Sequence, residues 1–292
     1  MKILVLGGTR FFGKQAVNEL IKKGYDVTIA TRGQHPDGFG DLVKRITLDR
    51  TSRESLESAL EGLSFDVVYD NICYAPDEAI QFLELMEGRI GKYIVTSSLA
   101  VYPKGINQEE EMFDPYHYPI VYGTRQDFSY AEGKRLIEAV IYQKFNVPAI
   151  AVRFPVVIGR NDYTRRLAFY VENTYNGTPY AALNYEEPMS FITEEEAGKF
   201  LCLLAETEFV GPINAATNGT INVKTIIEMI EKQCGKQAIL QEESTLVAPY
   251  STYGNVTLNT TKAINLGMHF KEIKDAFEEV IAYDLKHLEK PN

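Results

Sequence analysis

The sequence is short of the features that define several protein classes. It has three cysteines in 292 residues, Cys73, Cys202 and Cys234. They are odd in number, far apart and without a C-x-x-C pair, so neither a disulfide framework nor a zinc site follows. No apolar run approaches the roughly eighteen residues that read as a membrane span. The opening MKILVLGG is broken by glycine too soon for a secretory signal. A cytoplasmic location without membrane contact is the expectation. Bases are in deficit, with 30 against 40 acids and a net charge of −10. Broad nucleic-acid binding needs a basic footprint, so nucleic acid is not expected as a partner. All twelve arginines lie at or before Arg166, which confines any basic function to the first 166 residues.

Apolar residues at 45% and charged residues at 24% are those of a soluble globular chain with a sizeable core. That composition excludes disorder, a fibrous repeat and a small stapled scaffold. The first half alternates strand and helix patterns. Apolar runs predict strands at Lys2–Leu6, Asp26–Ala30, Arg45–Leu48, Asp66–Tyr69, Lys92–Thr96 and Pro148–Phe154. Helical spacing predicts helices at Phe12–Lys23, Ser52–Leu60, Asp77–Glu87 and Tyr130–Lys144. Such alternation implies an α/β fold, a doubly wound parallel sheet of Rossmann type with right-handed crossovers.

The pattern weakens after residue 160. Asn161–Glu187 reads as a helix plus loops, and Ser190–Thr193 and Gly211–Ala215 as short strands. Helices are expected at Glu195–Ala205, Val223–Cys234 and Phe270–Leu288. The expected division is a dinucleotide-binding domain over 1–160, with returning segments near 187–216. Residues 161–186 and 217–292 would form a small C-terminal substrate lobe. Pro103–Ser129 is a long loop, acidic at Glu109-Glu110-Glu111 and rich in Tyr and Pro. Long loops in compact domains are often functional lids.

Gly7-Gly8-Thr9-Arg10-Phe11-Phe12-Gly13 follows a strand and opens a helix, the context that gives a glycine pattern meaning. Gly7 and Gly8 would allow a tight turn and close approach to a pyrophosphate. Gly13 would let the helix pack closely on the sheet. The helix N-terminus offers free N–H groups and a positive dipole end to the phosphates. NAD sites place an acid about twenty residues after such a loop, on the ribose 2′-OH. Here the second strand ends in Thr31-Arg32-Gly33. An arginine suits a 2′-phosphate instead, and Arg10 could approach the same group. NADP(H) is therefore favoured, with NAD(H) as the alternative if both arginines are only surface charges. Asp49, after the third strand, is a candidate for the adenine end. Asn71 and Ile72, after the fourth, would pass near the cofactor ribose.

Tyr130 and Lys134 form a Y-x-x-x-K pair. With 18 tyrosines and 18 lysines, about one such pair arises by chance, so spacing alone carries nothing. Location gives it weight, because it opens a helix and follows Ser97-Ser98 at the end of strand five. Residues i and i+4 share a helix face, so phenol and ammonium can address one site. A free tyrosine has a pKa of about 10, and bringing it near 7 needs roughly 4 kcal/mol of differential stabilisation. A nearby lysine supplies part of it, so Lys134 would lower the pKa of Tyr130 as acid/base, and Tyr130 and Lys134 would also bind the cofactor, Lys134 at its ribose. Ser98 would orient the substrate oxygen. Metal ligation is not expected.

These residues resemble the extended or atypical short-chain dehydrogenase/reductase superfamily. The glycine loop, Ser98-Leu-Ala-Val-Tyr102, Tyr130 with Lys134, and Arg153-Phe-Pro155 stand in the family's order. Ser190-Phe-Ile-Thr193, Pro212-Ile-Asn214 and Asn259-Thr-Thr-Lys262 continue the likeness over essentially the whole chain. The resemblance implies an NAD(P)-dependent epimerase, dehydratase or reductase acting on a small carbonyl or sugar-like substrate. It also implies that Pro155 and Val156 line the nicotinamide face.

Three departures stand out. Arg10 replaces the middle glycine of the loop. The form GGTRFFG is more similar to a branch that includes isoflavone-reductase-like and chloroplast stem-loop RNA-binding proteins. Val156 stands where sugar-nucleotide enzymes usually carry asparagine. The gap of 32 residues from Ser98 to Tyr130 is long, so the loop between them must fold away or act as a lid. Arg160, Arg165 and Arg166 cluster after strand six, as candidates for an anionic substrate group or as solvated charges. The alternatives to an enzyme are an RNA-binding or RNA-processing protein on this fold and a non-catalytic NADP(H)-binding sensor. A monomer and a homodimer, the latter seamed by Asp77–Glu87 and Tyr130–Lys144, are both compatible with the sequence.

Overall fold

The computed structural model describes residues 1–288. Its core is a seven-stranded parallel sheet. The strands are β1 (Lys2–Leu6), β2 (Asp26–Thr31), β3 (Lys44–Thr47), β4 (Phe65–Asp70), β5 (Ile90–Ser98), β7 (Ala149–Phe154) and β10 (Gly211–Asn214). They lie in the order β10-β7-β5-β4-β1-β2-β3, the doubly wound arrangement expected from the alternation. Strand order reverses between β1 and β4, where Ile3 pairs with Val67 and Leu6 with Asp70. Ligand crevices form at such a switch point, beyond the carboxyl ends of the strands.

The apolar runs explain the sheet. Both faces of β1 are buried, so Ile3, Leu4, Val5 and Leu6 are fully covered. Ile3 and Val5 point into one core with Ala16, Val17 and Leu20 of α1 (Phe11–Lys22). Phe200 and Leu201 of α6 (Glu194–Ala205) complete that side. Leu4 and Leu6 point into the other core, with Leu56 and Leu60 of α2 (Arg53–Leu60) and Phe82 of α3 (Pro76–Leu85). Ile137, Val140 and Ile141 of α4 (Tyr130–Lys144) join them.

A third core lies in the C-terminal part of the chain. It gathers Leu167, Tyr170 and Val171 of α5 (Arg166–Asn176) with Ile226, Ile227 and Ile230 of α7 (Val223–Cys234). Phe277 and Ile281 of α9 (Ile273–Leu288) close it.

Four short elements were not expected from the sequence. β6 (Gly105–Gln108) lies inside the long loop and pairs in parallel with β11 (Val256–Leu258). β8 (Val156–Ile158) pairs with β9 (Phe191–Thr193), and α8 (Thr261–Asn265) is a single short helix. The pairing of β8 takes Val156 into the third core.

Candidate active site

A crevice of about 420 Å³ opens at the switch point. Of the residues expected to hold a dinucleotide, it is lined by Gly7, Thr9, Arg10, Phe11, Phe12, Gly13, Thr31, Arg32, Asp49, Asn71 and Ile72. The glycines there are dictated by contact. Gly7 has φ +80, and a Cβ on it would lie 2.5 Å from Ile72 Cγ2. A Cβ on Gly13 would lie 2.3 Å from the Gly7 carbonyl oxygen, so the helix can approach the turn only at glycine. Gly8 is different, because its Cβ direction is filled by Val5 and Val17. It serves the core packing and does not line the crevice.

The start of α1 is left open to a ligand. Helices α2, α4 and α7 carry side-chain N-caps from Ser52, Ser129 and Asn222. α1 has Arg10 at its N-cap with no capping bond, and no acid in its first turn. Its first N–H groups and positive dipole end therefore face the crevice without an internal anion. Phe11 takes a left-handed φ of 51 at this corner, a conformation that costs about 1–2 kcal/mol. Burial of its ring in the first core offsets that strain.

Charge in the crevice runs against that of the whole chain. Arg10, Arg32, Arg50 and Arg125 line it, against one carboxylate, Asp49. Arg50 is neutralised from below, with Nη2 2.5 Å from Asp70 Oδ2 and Nη1 donating to the Glu78 carbonyl oxygen at 2.6 Å. Arg10 and Arg32 are exposed at the glycine turn and at the end of β2. Asp49 Oδ1 accepts from Thr51 N at 2.9 Å and Thr51 Oγ1 at 2.7 Å. Those bonds first, and then the field of Arg32 and Arg125, hold its carboxyl below the usual range.

The Ser, Tyr and Lys candidates stand beside the crevice. Lys134 is 2% exposed, and Nζ donates to the carbonyl oxygens of Cys73 and Thr96, both at 2.7 Å. It thereby spans the ends of β4 and β5. Its ammonium lies 4.6 Å from the Tyr74 ring centre and 5.8 Å from that of Tyr130. Two carbonyls and two aromatic faces replace the carboxylate a buried ammonium usually needs. Tyr130 is 54% exposed at the first turn of α4. Ser98 ends β5, and its Oγ accepts from Ala100 N at 3.2 Å, capping the 3₁₀ turn Leu99–Val101. Tyr130 and Lys134 are brought together as expected. The serine is placed at the neighbouring strand end, bonded within its own turn.

Other expected residues lie apart. Pro155 and Val156 are buried and do not line the crevice, because β8 draws them towards β9. The three arginines after β8, Arg160, Arg165 and Arg166, do not converge. Arg165 pairs with Glu172, Arg166 Nε donates to Thr164 Oγ1 at 2.9 Å, and Arg160 lies 5.3 Å over the Tyr283 ring.

Sequence reasoning passed over Tyr74 and Arg125, which line the crevice together with Tyr163, one of the dense tyrosines after residue 160 that could wall a pocket or serve packing. Tyr163 packs edge-on against Phe11 at 6.1 Å and under Arg10 at 5.9 Å. The Tyr74 ring lies between the Lys134 ammonium and the Arg125 guanidinium, which is 4.5 Å from its centre. Only the position of Tyr74, two residues past Ile72, could have marked it.

Residues 3–76 match the model of the NAD dependent epimerase/dehydratase family. The chain is 35% identical over 130 residues to the chloroplast stem-loop binding protein of 41 kDa b of Arabidopsis thaliana. That match spans 39% of this chain and 34% of the relative, so it covers about a third of that protein's length. Among solved structures, the UDP-glucose 4-epimerase of Thermus thermophilus, in complex with NAD, superposes with a TM-score of 0.74 at 17% identity. It covers 97% of this chain and 99% of its own. The UDP-glucuronic acid 4-epimerase of Bacillus cereus, in complex with UDP-glucuronic acid and NAD, gives 0.74 at 20%, covering 99% and 100%. The dTDP-glucose 4,6-dehydratase of Bacillus anthracis, in complex with NAD, gives 0.75 at 16%, covering 98% and 97%. The Rossmann-type fold and the epimerase/dehydratase resemblance expected from the sequence both hold, with the reaction left open.

Proposed function

Starting from a chain whose residues 3–76 carry the NAD dependent epimerase/dehydratase sequence and whose whole length carries the fold of such enzymes, we propose an NADP(H)-dependent oxidoreductase or epimerase/dehydratase. Its substrate would be a small carbonyl or sugar-like compound, taken up by the C-terminal lobe. The observation that carries this reading is the crevice at the switch point, with two glycines where no Cβ fits and arginines in place of the acid that reads a ribose hydroxyl. Arg32 and Arg10 suit a 2′-phosphate through charge-assisted hydrogen bonds. The uncapped start of α1 suits the diphosphate.

The bound nicotinamide would supply hydride chemistry. Tyr130, exposed at the first turn of α4, would exchange the proton with the substrate oxygen. Lys134 is held by two carbonyls, with its ammonium 5.8 Å from the centre of that ring. Ser98 would turn its hydroxyl from its own cap to the substrate oxygen. Tyr74 is less suited as the base, because burial pushes its phenol up to about 12. Tyr130→Phe is expected to abolish turnover of an accepted substrate while cofactor affinity stays within about twofold, since it removes one oxygen outside the crevice lining. Unchanged turnover would overturn the assignment.

A second reading is favoured by one observation, the similarity to a stem-loop binding protein. On that reading the arginines of the crevice would serve RNA. A salt-dependent shift of structured RNA in a gel supports it, and no shift at low salt ends it.

A further inference from the structure

The segment between Ser98 and Tyr130 is a fixed structure, not a free lid. Its first part is tied from below by Arg153, which donates to the carbonyl oxygens of Glu110 at 2.7 Å and Phe113 at 3.2 Å. Arg153 is itself fully buried against Glu138. The middle lies along α4, where Gln143 Nε2 donates to the carbonyl oxygens of Pro115 and Tyr118 at 2.7 and 2.8 Å. The last part reaches α3, where Gly123 N donates to Asp77 Oδ1 at 2.8 Å. Arg125 follows, and it is the one residue of this segment that lines the nucleotide crevice.

We infer that Arg125 grips the adenosine-diphosphate half of the dinucleotide, and that residues 109–129 form a strap holding this guanidinium over the crevice. The inference rests on the dinucleotide reading of the same crevice. Its geometry is specific. Arg125 Nη2 donates to the Ile72 carbonyl oxygen at 2.9 Å, and Nε and Nη2 bond the Glu78 carboxylate. Ile72 is the residue packed against the Gly7 turn. The guanidinium therefore stands on the β4 side of the crevice, while Arg10 and Arg32 stand on the β1–β2 side. Among the described residues, the bonds to Glu78 and Ile72 leave Nη1 unused, and the Tyr74 ring lies 4.5 Å from the guanidinium. Asp49, at the adenosine end, feels both Arg32 and Arg125. A guanidinium held from behind in this way has Nη1 to offer a phosphate oxygen and its plane to offer the face of a purine.

The test uses the full chain and three probes, NADPH, NADH and ADP-ribose, in calorimetric titrations of wild type, Arg125→Gln and Arg125→Lys. Arg125→Gln is expected to weaken all three about tenfold or more, because the grip is on the half they share. Arg125→Lys, which keeps the charge and loses the fork, should fall between. In the wild type, ADP-ribose should slow tryptic cleavage after Arg125, and nicotinamide mononucleotide should not. Affinities within twofold of wild type for both variants, or cleavage indifferent to ADP-ribose, would overturn the strap. If Arg125→Gln does not fold, Arg125→Lys at wild-type affinity overturns it equally. A wild type that binds none of the three probes defeats the dinucleotide reading itself. A wild type that binds them with unaffected variants defeats only the role of Arg125.

Discussion

Lys134 shows how one side chain joins fold and chemistry. It ties β4 to β5 through two carbonyls and, from the same atom, faces the rings of Tyr74 and Tyr130. Tyr130 and Lys134 were legible in the sequence because helix spacing and order along the chain place them. Tyr74 and Arg125 were not, because a lone tyrosine and a lone arginine in a loop carry no period, and only tertiary contact brings them to the crevice. A residue outside the crevice lining carries a pH signature. Burial pushes the Asp284 carboxyl on α9 up to about 6; Arg165 opposes this and Glu172 adds to it. The folded chain thus holds this proton more tightly than the unfolded chain. Its contribution is fully present below an ordinary aspartate pKa of about 4 and is lost as pH rises through about 6. Asp284→Asn is expected to raise Tm at about pH 8 by roughly 2–3 °C, about 1 kcal/mol, with little change near pH 4. Thermal melts at the two pH values check this, and equal shifts at both would refute it.

At the scale of elements, the turn from β1 to α1 is the tightest joint in the site. A methyl at Gly13 would meet a backbone oxygen, which cannot swing aside as a side chain can. Gly13→Ala is expected to cost about 1–3 kcal/mol in stability and to weaken dinucleotide binding more than tenfold, as the helix start moves off the phosphates. Denaturant unfolding and titration read the two effects, and a variant with wild-type values in both would contradict this account of the joint. Most strands of the main sheet and their helices were readable because they carry apolar runs or helical spacing of their own, whereas β3 is largely exposed. β6, β8, β11 and α8 were not, since each is three to five residues long and the strands among them are defined by distant partners. The long loop was readable as an insertion. Its attachment through Arg153, Gln143 and Asp77 was not, because those bonds join residues far apart in sequence.

For the whole molecule, the charge of −10 and the four arginines of the crevice belong together. Arg50 and Arg125 are paired with Asp70 and Glu78, so Arg10 and Arg32 supply the cleft's open positive charge, which draws an anionic ligand on a chain that is otherwise acidic. The cleft stands where the doubly wound sheet reverses, and a third core gathers α5, α7 and α9. The central claim is that this cleft holds NADP(H), selected by Arg32 with Arg10. The most direct test is a side-by-side titration of wild type and Arg32→Ala with NADPH and NADH. The account predicts NADPH binding about tenfold or more tighter than NADH in the wild type, and loss of that preference in the variant. Equal or tighter NADH binding by the wild type, or binding of neither, would contradict it.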